Sequence, residues 1–414
     1  MNTTGKKVLL VTTANMTCNP RCYKELTALV NSGYKVSVLK FDIRNWSEEY
    51  EALLESALPL VQWITLDTGR RSKAGWLAAT LVGKLAGKLQ QLFPKNLAIT
   101  SYAIEKRSWL LHSKLKQIAS QYDMLIAHNL GAFLPVYNAA KNAGIPYGVD
   151  VEDYHPGEYD DTTPEQYARM LMQGTLKDAA YVTVAAPLIL QHTIQDVPAI
   201  KDRSVVVNNV FLLELQPEFQ DLQLNDGEPL KLVWFSQNVG LDRGLDDVIR
   251  ALNQINDFPI ELTLIGNCTD SNRQFFTDML TNTKHALIFK KPLPEKELMI
   301  ELSQYHIGLA LEIVHNLNKR ICVANKMSTY LLCGNAIIAS GTEGQELFMK
   351  QYPGIGQTYT SGNPTLLATA ITKYYKDKQL LQQHRRNGYK LAAEELNWEK
   401  EQQLFLAAVN KALS

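Results

Sequence analysis

Several features are missing from this chain, and each absence excludes something. No G-x-G-x-x-G follows the first strand-like run of either half, which sets aside a dinucleotide-dependent dehydrogenase. No stretch of 18 or more uncharged apolar residues occurs, so no transmembrane helix is expected. A signal peptide is not expected either, because Lys6-Lys7 leads into Val8-Leu9-Leu10-Val11, which ends too soon for an apolar h-region. Net charge is absent, with 42 basic residues against 42 acidic ones, and gives no ground for a nucleic-acid partner. Cysteine is scarce. The odd, scattered set Cys18, Cys22, Cys268, Cys322 and Cys333 does not read as a disulfide framework. Cys18 and Cys22 alone supply too few ligands for structural zinc. These thiols read as buried in a reducing, cytoplasmic setting.

What is present is a long, ordinary globular sequence. Its 414 residues exceed one hydrophobic core, and 46% apolar content argues against disorder. Strand and helix patterns alternate from the start. Lys7–Thr13 is a short β-branched run. Asn19 can cap the next helix, Pro20 suits its first turn and Gly33 its end. Tyr34–Lys40, Asp123–His128, Tyr147–Val151, Tyr181–Val184 and Val205–Val207 are further strand candidates, and Leu134–Asn142 is a helix ended by Gly144. Phe211–Pro229 is polar and acidic and reads as a connection. A second series places strands at Leu232–Phe235, Ile260–Ile265, Ala286–Phe289, Ile307–Leu311 and Ala336–Ala339, with helices such as Leu245–Leu252 and Glu295–Ser303 between them. Alternating βα units imply parallel sheets. The expected organisation is two doubly wound, Rossmann-like domains, residues 1–215 and 216–395. A helical segment over 396–414 is expected to pack back on the first domain.

Two polar patterns stand out. Between Asp67 and Glu105 there is no carboxylate, while Arg70, Arg71, Lys73, Lys84, Lys88 and Lys95 fall in that interval. On a helical wheel the four lysines form a stripe beside an arc of Leu81, Val82, Leu85, Leu89, Leu92 and Phe93, with Trp76 near the start. Such a face suits an anionic membrane interface, with Trp76, Lys84 and Lys88 as contacts. A core-packing helix with a solvated basic edge would show the same pattern. The second pattern is Asp150, Glu152, Asp153, His155 and Glu158. Acceptor recognition with a carboxylate as general base, a metal site and a structural loop pinned by Pro156-Gly157 all fit it. The spacing matches no specific metal motif, and Asp153 and Glu158 are the preferred functional members.

The second half resembles the nucleotide-binding domain of glycosyltransferase family 4 and its GT-B relatives. The segments that carry the resemblance are Val233-Trp234-Phe235-Ser236-Gln237, Asp242-Arg243-Gly244-Leu245, Leu262-Thr263-Leu264-Ile265-Gly266, and Asn325-Lys326 followed by Tyr330 to Ser340. In the first half Asn19-Pro20-Arg21, Gly33-Tyr34-Lys35-Val36, Ala127-His128-Asn129 and Asp150–Glu158 resemble the same enzymes. The resemblance implies a GT-B fold with a cleft between its domains. It also implies sugar transfer, in the retaining sense, from a nucleotide-diphosphate donor to a glycan or lipid-linked acceptor. Surface-polysaccharide or glycolipid assembly at the inner face of the plasma membrane is the family's common setting.

Residue by residue, the resemblance places Arg243, Lys326 and nearby Arg320 on the donor diphosphate, where cationic side chains and helix N-termini can meet the leaving-group charge without a metal or other cofactor. From position alone, Arg243 and Lys326 read first as solvated helix-terminal charges, and the resemblance reverses that reading. Asn325, Gln237, Gly266 and Thr329 complete the donor set, although Asn325 could simply hold its loop and Gly266 make a turn. His128 is implied to touch the transferred sugar. Asn15 and Arg21, beside the carboxyl end of the first strand, are candidates for acceptor or phosphate binding, and Arg21 reads equally as an exposed first-turn residue. Three departures bear on activity. The loop Thr12–Asn19 lacks the glycines common in relatives, Ser236-Gln237 replaces the usual Gly-Arg, and Ile321 and Thr329 stand where relatives carry the Glu-x₇-Glu pair. Two alternatives follow: a non-catalytic binding or scaffold homologue, and a nucleotide-sugar 2-epimerase.

Overall fold

The computed structural model describes residues 5–43, 47–67 and 73–414. The chain forms two compact units, Met1–Asn208 with Gln402–Ser414, and Asn209–Glu401. In the first unit β1 (Lys7–Thr12), β2 (Lys35–Asp42), β3 (Gln62–Asp67), β4 (Met124–His128), β5 (Tyr147–Val151), β6 (Tyr181–Val184) and β7 (Ser204–Val206) form a parallel sheet. Its order is β3-β2-β1-β4-β5-β6-β7. In the second unit β8 (Leu230–Asn238), β9 (Ile260–Asn267), β10 (Ala286–Lys290), β11 (Ile307–Ala310), β12 (Ala336–Ser340) and β13 (Gly356–Tyr359) run in the order β10-β9-β8-β11-β12-β13. Both are doubly wound sheets. The strand order reverses at β1/β4 and at β8/β11, and crevices form at the carboxyl ends of such pairs.

Local chemistry explains the elements. The Asn19 side chain accepts from the Cys22 N–H at 3.1 Å and caps the helix Pro20–Asn31. Gly144, at φ 69°, ends the helix Leu130–Ala143, which starts one turn earlier than its sequence periodicity predicts. In the second sheet the side chains alternate between two buried layers. Leu232, Trp234, Leu262 and Leu264 lie in one, and Val233, Ile265, Ile337 and Ala339 in the other. Tyr330 lies against Gly308, where a Cβ would collide with its ring, and its hydroxyl donates to the Val233 and Leu309 carbonyls. This anchors the helix Asn325–Cys333 on the sheet.

Two of the five thiols, Cys22 and Cys333, are buried; Cys18 is exposed and Cys268 and Cys322 are intermediate. The expectation that all five are buried is therefore corrected. Among the described residues no helix is long and apolar enough to cross a membrane.

Candidate active site

In the first unit the sequence-selected residues gather behind the carboxyl ends of β4 and β5. Arg21, in the first turn of its helix, is 0% exposed. Its Nε and Nη2 donate to Asp150 at 2.8–3.0 Å, and its Nη1 donates to the Val207 carbonyl at 2.7 Å. Thr183 adds a hydroxyl to Asp150 at 2.6 Å. His128, the last residue of β4, is 1% exposed. Its Nε2 lies 3.0 Å from Glu25 and its Nδ1 3.6 Å from Asp150. Two cationic and two acidic side chains therefore sit together out of water.

That burial sets the protonation states. It would raise the Asp150 carboxyl, but the charges of Arg21 and His128 and the bonds from Arg21 and Thr183 hold it below the usual carboxylate range. Burial raises Glu25, and Asp150 beside it adds to the shift. Burial disfavours the His128 cation, yet Cys22 and Glu25 against the ring keep it well above an ordinary histidine.

This geometry bears on three readings. Arg21 offers no donor to an acceptor, because its guanidinium is enclosed against Asp150. His128 points at carboxylates inside the unit rather than outward to a sugar. Asn15 is buried, donating to Ser47 at 2.7 Å and accepting from the Cys18 N–H at 2.9 Å. Glu51 accepts the Met16 and Thr17 N–H groups and pairs with Lys40. A glutamate from a distant helix thus shapes the β1 loop that carries no glycine.

Asn129 follows His128 at the strand-order reversal. At φ 68°, ψ 144° it holds a conformation that non-glycine residues rarely adopt, while its Oδ1 accepts from Thr12 Oγ1 at 2.6 Å. Asn129→Ala should cost about 1–3 kcal/mol, since the Thr12 hydroxyl loses its acceptor and the strain is not relieved. Asn129→Gly should cost less, because glycine relieves the strain. Thermal unfolding of both variants checks this, and equal losses would refute the strain.

The acidic loop after β5 is open to solvent only in part. His155 is buried, edge-on to Phe133, and its Nδ1 lies 2.7 Å from Glu158 Oε2. Glu158 is exposed and Asp153 partly so. Glu152 attracts notice instead. Burial, only partly offset by Arg21 and reinforced by Asp150 and Asp153, pushes its carboxyl up to about 7. A carboxyl poised there can exchange a proton near neutrality. Its sequence gives no sign of this, because the cause is the enclosure around it. Among the described residues no group of three or more His, Cys, Asp or Glu side chains is placed to hold a metal.

In the second unit a cationic group lies around the carboxyl ends of β8 and β11. Lys326, in the first turn of the helix Asn325–Cys333, stands 5.4 Å over the Trp234 ring and 5.9 Å from that of Phe235. Burial lowers its pKa, and Lys319 and Arg243 lower it further against the opposing charge of Glu312. Arg243 is largely exposed, ahead of the helix Leu245–Leu252. Lys319 reaches Glu312 at 3.7 Å, whereas its neighbour Arg320 points to Glu343 at 3.4 Å. Adjacent helical residues diverge in direction, and Lys319 rather than Arg320 joins the group. Glu312 and Lys319 belong to this charged group, and the sequence reading did not select them.

The remaining donor candidates divide. Gln237 is exposed at the end of β8. Asn325 accepts from Asn209 at 3.1 Å and is exposed. Gly266 lets β9 pass the Ser236 carbonyl, which a Cβ would strike, so it shapes the crevice. Thr329 is buried and donates to the Asn325 carbonyl at 3.0 Å, and Ile321 is fully buried. Neither presents a group to a donor ribose.

On the cationic stretch, Trp76, Lys84, Lys88 and Lys95 are all exposed. Arg70 and Arg71 lie outside the described residues, as does the side chain of Lys73.

Comparison with known proteins extends along nearly the whole chain. HepE of Anabaena, solved with UDP, matches with a TM-score of 0.67 at 15% identity, covering 98% of this chain and 99% of that one. The lipopolysaccharide outer core galactosyltransferase WaaB matches with a TM-score of 0.64 at 13% identity, over 98% and 99%. Sucrose-phosphate synthase from Thermosynechococcus elongatus matches with a TM-score of 0.64 at 14% identity, over 98% of each chain. At these identities the likeness establishes the fold, two Rossmann-like domains of the GT-B type. Neither a protein-family model nor a curated protein sequence matches the chain.

Proposed function

We propose that this protein is a glycosyltransferase that moves a sugar from a nucleotide-diphosphate donor to a glycan or lipid-linked acceptor. The observation that carries the reading is the group of Arg243, Lys319 and Lys326 gathered around the β8/β11 crevice. Departure of a nucleoside diphosphate develops negative charge, and fixed cations beside helix N-termini stabilise it without a metal. HepE has been solved with UDP-glucose as well as UDP, and this supports a nucleotide-sugar donor here. In this reading the second unit holds the donor and the first receives the acceptor. Glu152, Asp153 and Glu158 are the carboxylates available for proton transfer. Retention of configuration, membership of family 4 and a place in surface-polysaccharide or glycolipid synthesis are what the resemblance in sequence implies.

A second reading is favoured by one observation. Thr329 and Ile321 are enclosed where relatives carry glutamates, which suits a homologue that binds without turning over. The two separate in one assay. Diphosphate release is measured from UDP-, GDP-, ADP- and dTDP-sugars, with and without membrane extract as acceptor source. Release from one donor, stimulated by extract and reduced about tenfold or more in Arg243→Ala, is the expected result. No release, with no thermal shift by any nucleotide, would establish the non-catalytic reading. Conversion of the donor alone into its 2-epimer, found by product analysis without any acceptor, would indicate a 2-epimerase.

A further inference from the structure

The helix Lys73–Leu89 is folded inside out. A helix on a globular protein ordinarily turns its leucines to the core and its small or charged residues to water. Here Ala79, Ala86 and Gln90 are buried. Gly83 packs so tightly that a Cβ would sit 3.2 Å from Lys106 Cβ and 3.3 Å from the Tyr102 carbonyl. Gln90 donates to Thr100 at 2.9 Å on the neighbouring helix Leu97–Ile104. This small-residue stripe leaves the bulky side chains outside. Leu81 is 58% exposed, Leu85 57% and Leu92 71%, with Trp76, Leu77 and Phe93 also exposed. At 3.6 residues per turn the exposed leucines lie roughly opposite Ala79, Gly83 and Ala86.

Every charged residue in the stretch 68–104 is basic. Lys84 and Lys88 are exposed between the leucines, and Lys95 follows. Lys106 stands 5.2 Å over the Trp76 ring. Residues 68–104 contain no carboxylate. The sequence pattern also fits a core helix with a basic edge, and the outward leucines exclude that.

We infer that this face docks on an anionic lipid bilayer, with the leucines, Trp76 and Phe93 entering the headgroup boundary and the lysines meeting lipid phosphates. Lysine stems can lie along apolar surface while their ammonium groups reach out, so alternating Leu and Lys suits an interface with a polar layer over an apolar one. Basic charge with no carboxylate in residues 68–104 matches an anionic surface. The inference is independent of the transferase reading.

Co-sedimentation of the full chain with phosphatidylglycerol-containing and pure phosphatidylcholine vesicles tests it in low-salt buffer. The protein should pellet with the anionic vesicles and stay largely in solution with the neutral ones. Lys84→Glu/Lys88→Glu and Leu81→Ser/Leu85→Ser should each weaken binding roughly tenfold or more. Circular dichroism and melting temperature should stay unchanged, because all four side chains are exposed. Failure of the unmodified protein to pellet would overturn the inference. So would full binding by the serine variant, which would leave only a charge effect. A dimer in sedimentation velocity that the serine variant dissolves, without lipid binding, would instead assign the face to self-association.

Discussion

Arg21→Ala is expected to lower the stability of the first unit by about 3–5 kcal/mol, the usual consequence of breaking a buried ion pair from one side. The side chain closes a fully buried set: Asp150 accepts three of its hydrogen bonds, and Glu25 and His128 lie against the same group. Its removal leaves two enclosed carboxylates facing one imidazole. The penalty should depend on pH. Asp150 titrates below its unfolded value, so its contribution is complete above the ordinary carboxylate range and is lost as pH falls through the lower, folded value. Without Arg21 the carboxyl can take up a proton, so the gap between variant and wild type should narrow toward acid pH. Urea titrations near neutrality and in mild acid measure this directly. A loss below about 1 kcal/mol would mean that the network tolerates an unpaired charge, contrary to the general cost of burying one.

Lys326→Met is expected to lower kcat about 10²- to 10³-fold in the transferase reaction, in line with removal of one preorganised group from a developing anion. Methionine keeps an apolar stem over Trp234 and Phe235 and removes only the charge, so melting temperature should change little. Arg320→Ala should have a much smaller effect, because Arg320 is half exposed and turned to Glu343. The pKa of Lys326 is depressed, first by burial and then by Lys319 and Arg243. It is charged below that value, so activity should fall with rising pH earlier than an exposed lysine would require. Initial rates of diphosphate release across alkaline pH provide the readout. Unchanged kcat in Lys326→Met would remove this lysine from the chemistry.

The sequence discloses the fold more fully than the site, for physical reasons. Alternating apolar runs and caps at Asn19 and Gly144 are local signals, and the central strands form where those signals lie. β3 and β13 escape notice because Gln62–Asp67 and Gly356–Tyr359 are sheet edges with too few buried positions to form an apolar run. Arg21 looks like an exposed first-turn residue until Asp150, 129 positions away, encloses it. Glu51 shapes the β1 loop from a distance of the same kind, and Glu312 and Lys319 gain meaning only when β11 lies beside β8. Helical periodicity finds the face of Lys73–Leu89 but not which side is inside. That depends on the volume available beside the helix Leu97–Ile104, which leaves little room at Gly83.

The first unit is discontinuous along the chain. Residues 402–414 complete it, with Phe405 edge-on to Tyr181 and Asn410 accepting from the Tyr34 hydroxyl at 2.5 Å. During synthesis from the N-terminus, the second unit has its whole sequence before the first does. The earlier-made half keeps that surface uncovered until residues 402–414 have been made, reversing the common order in which N-terminal domains finish first.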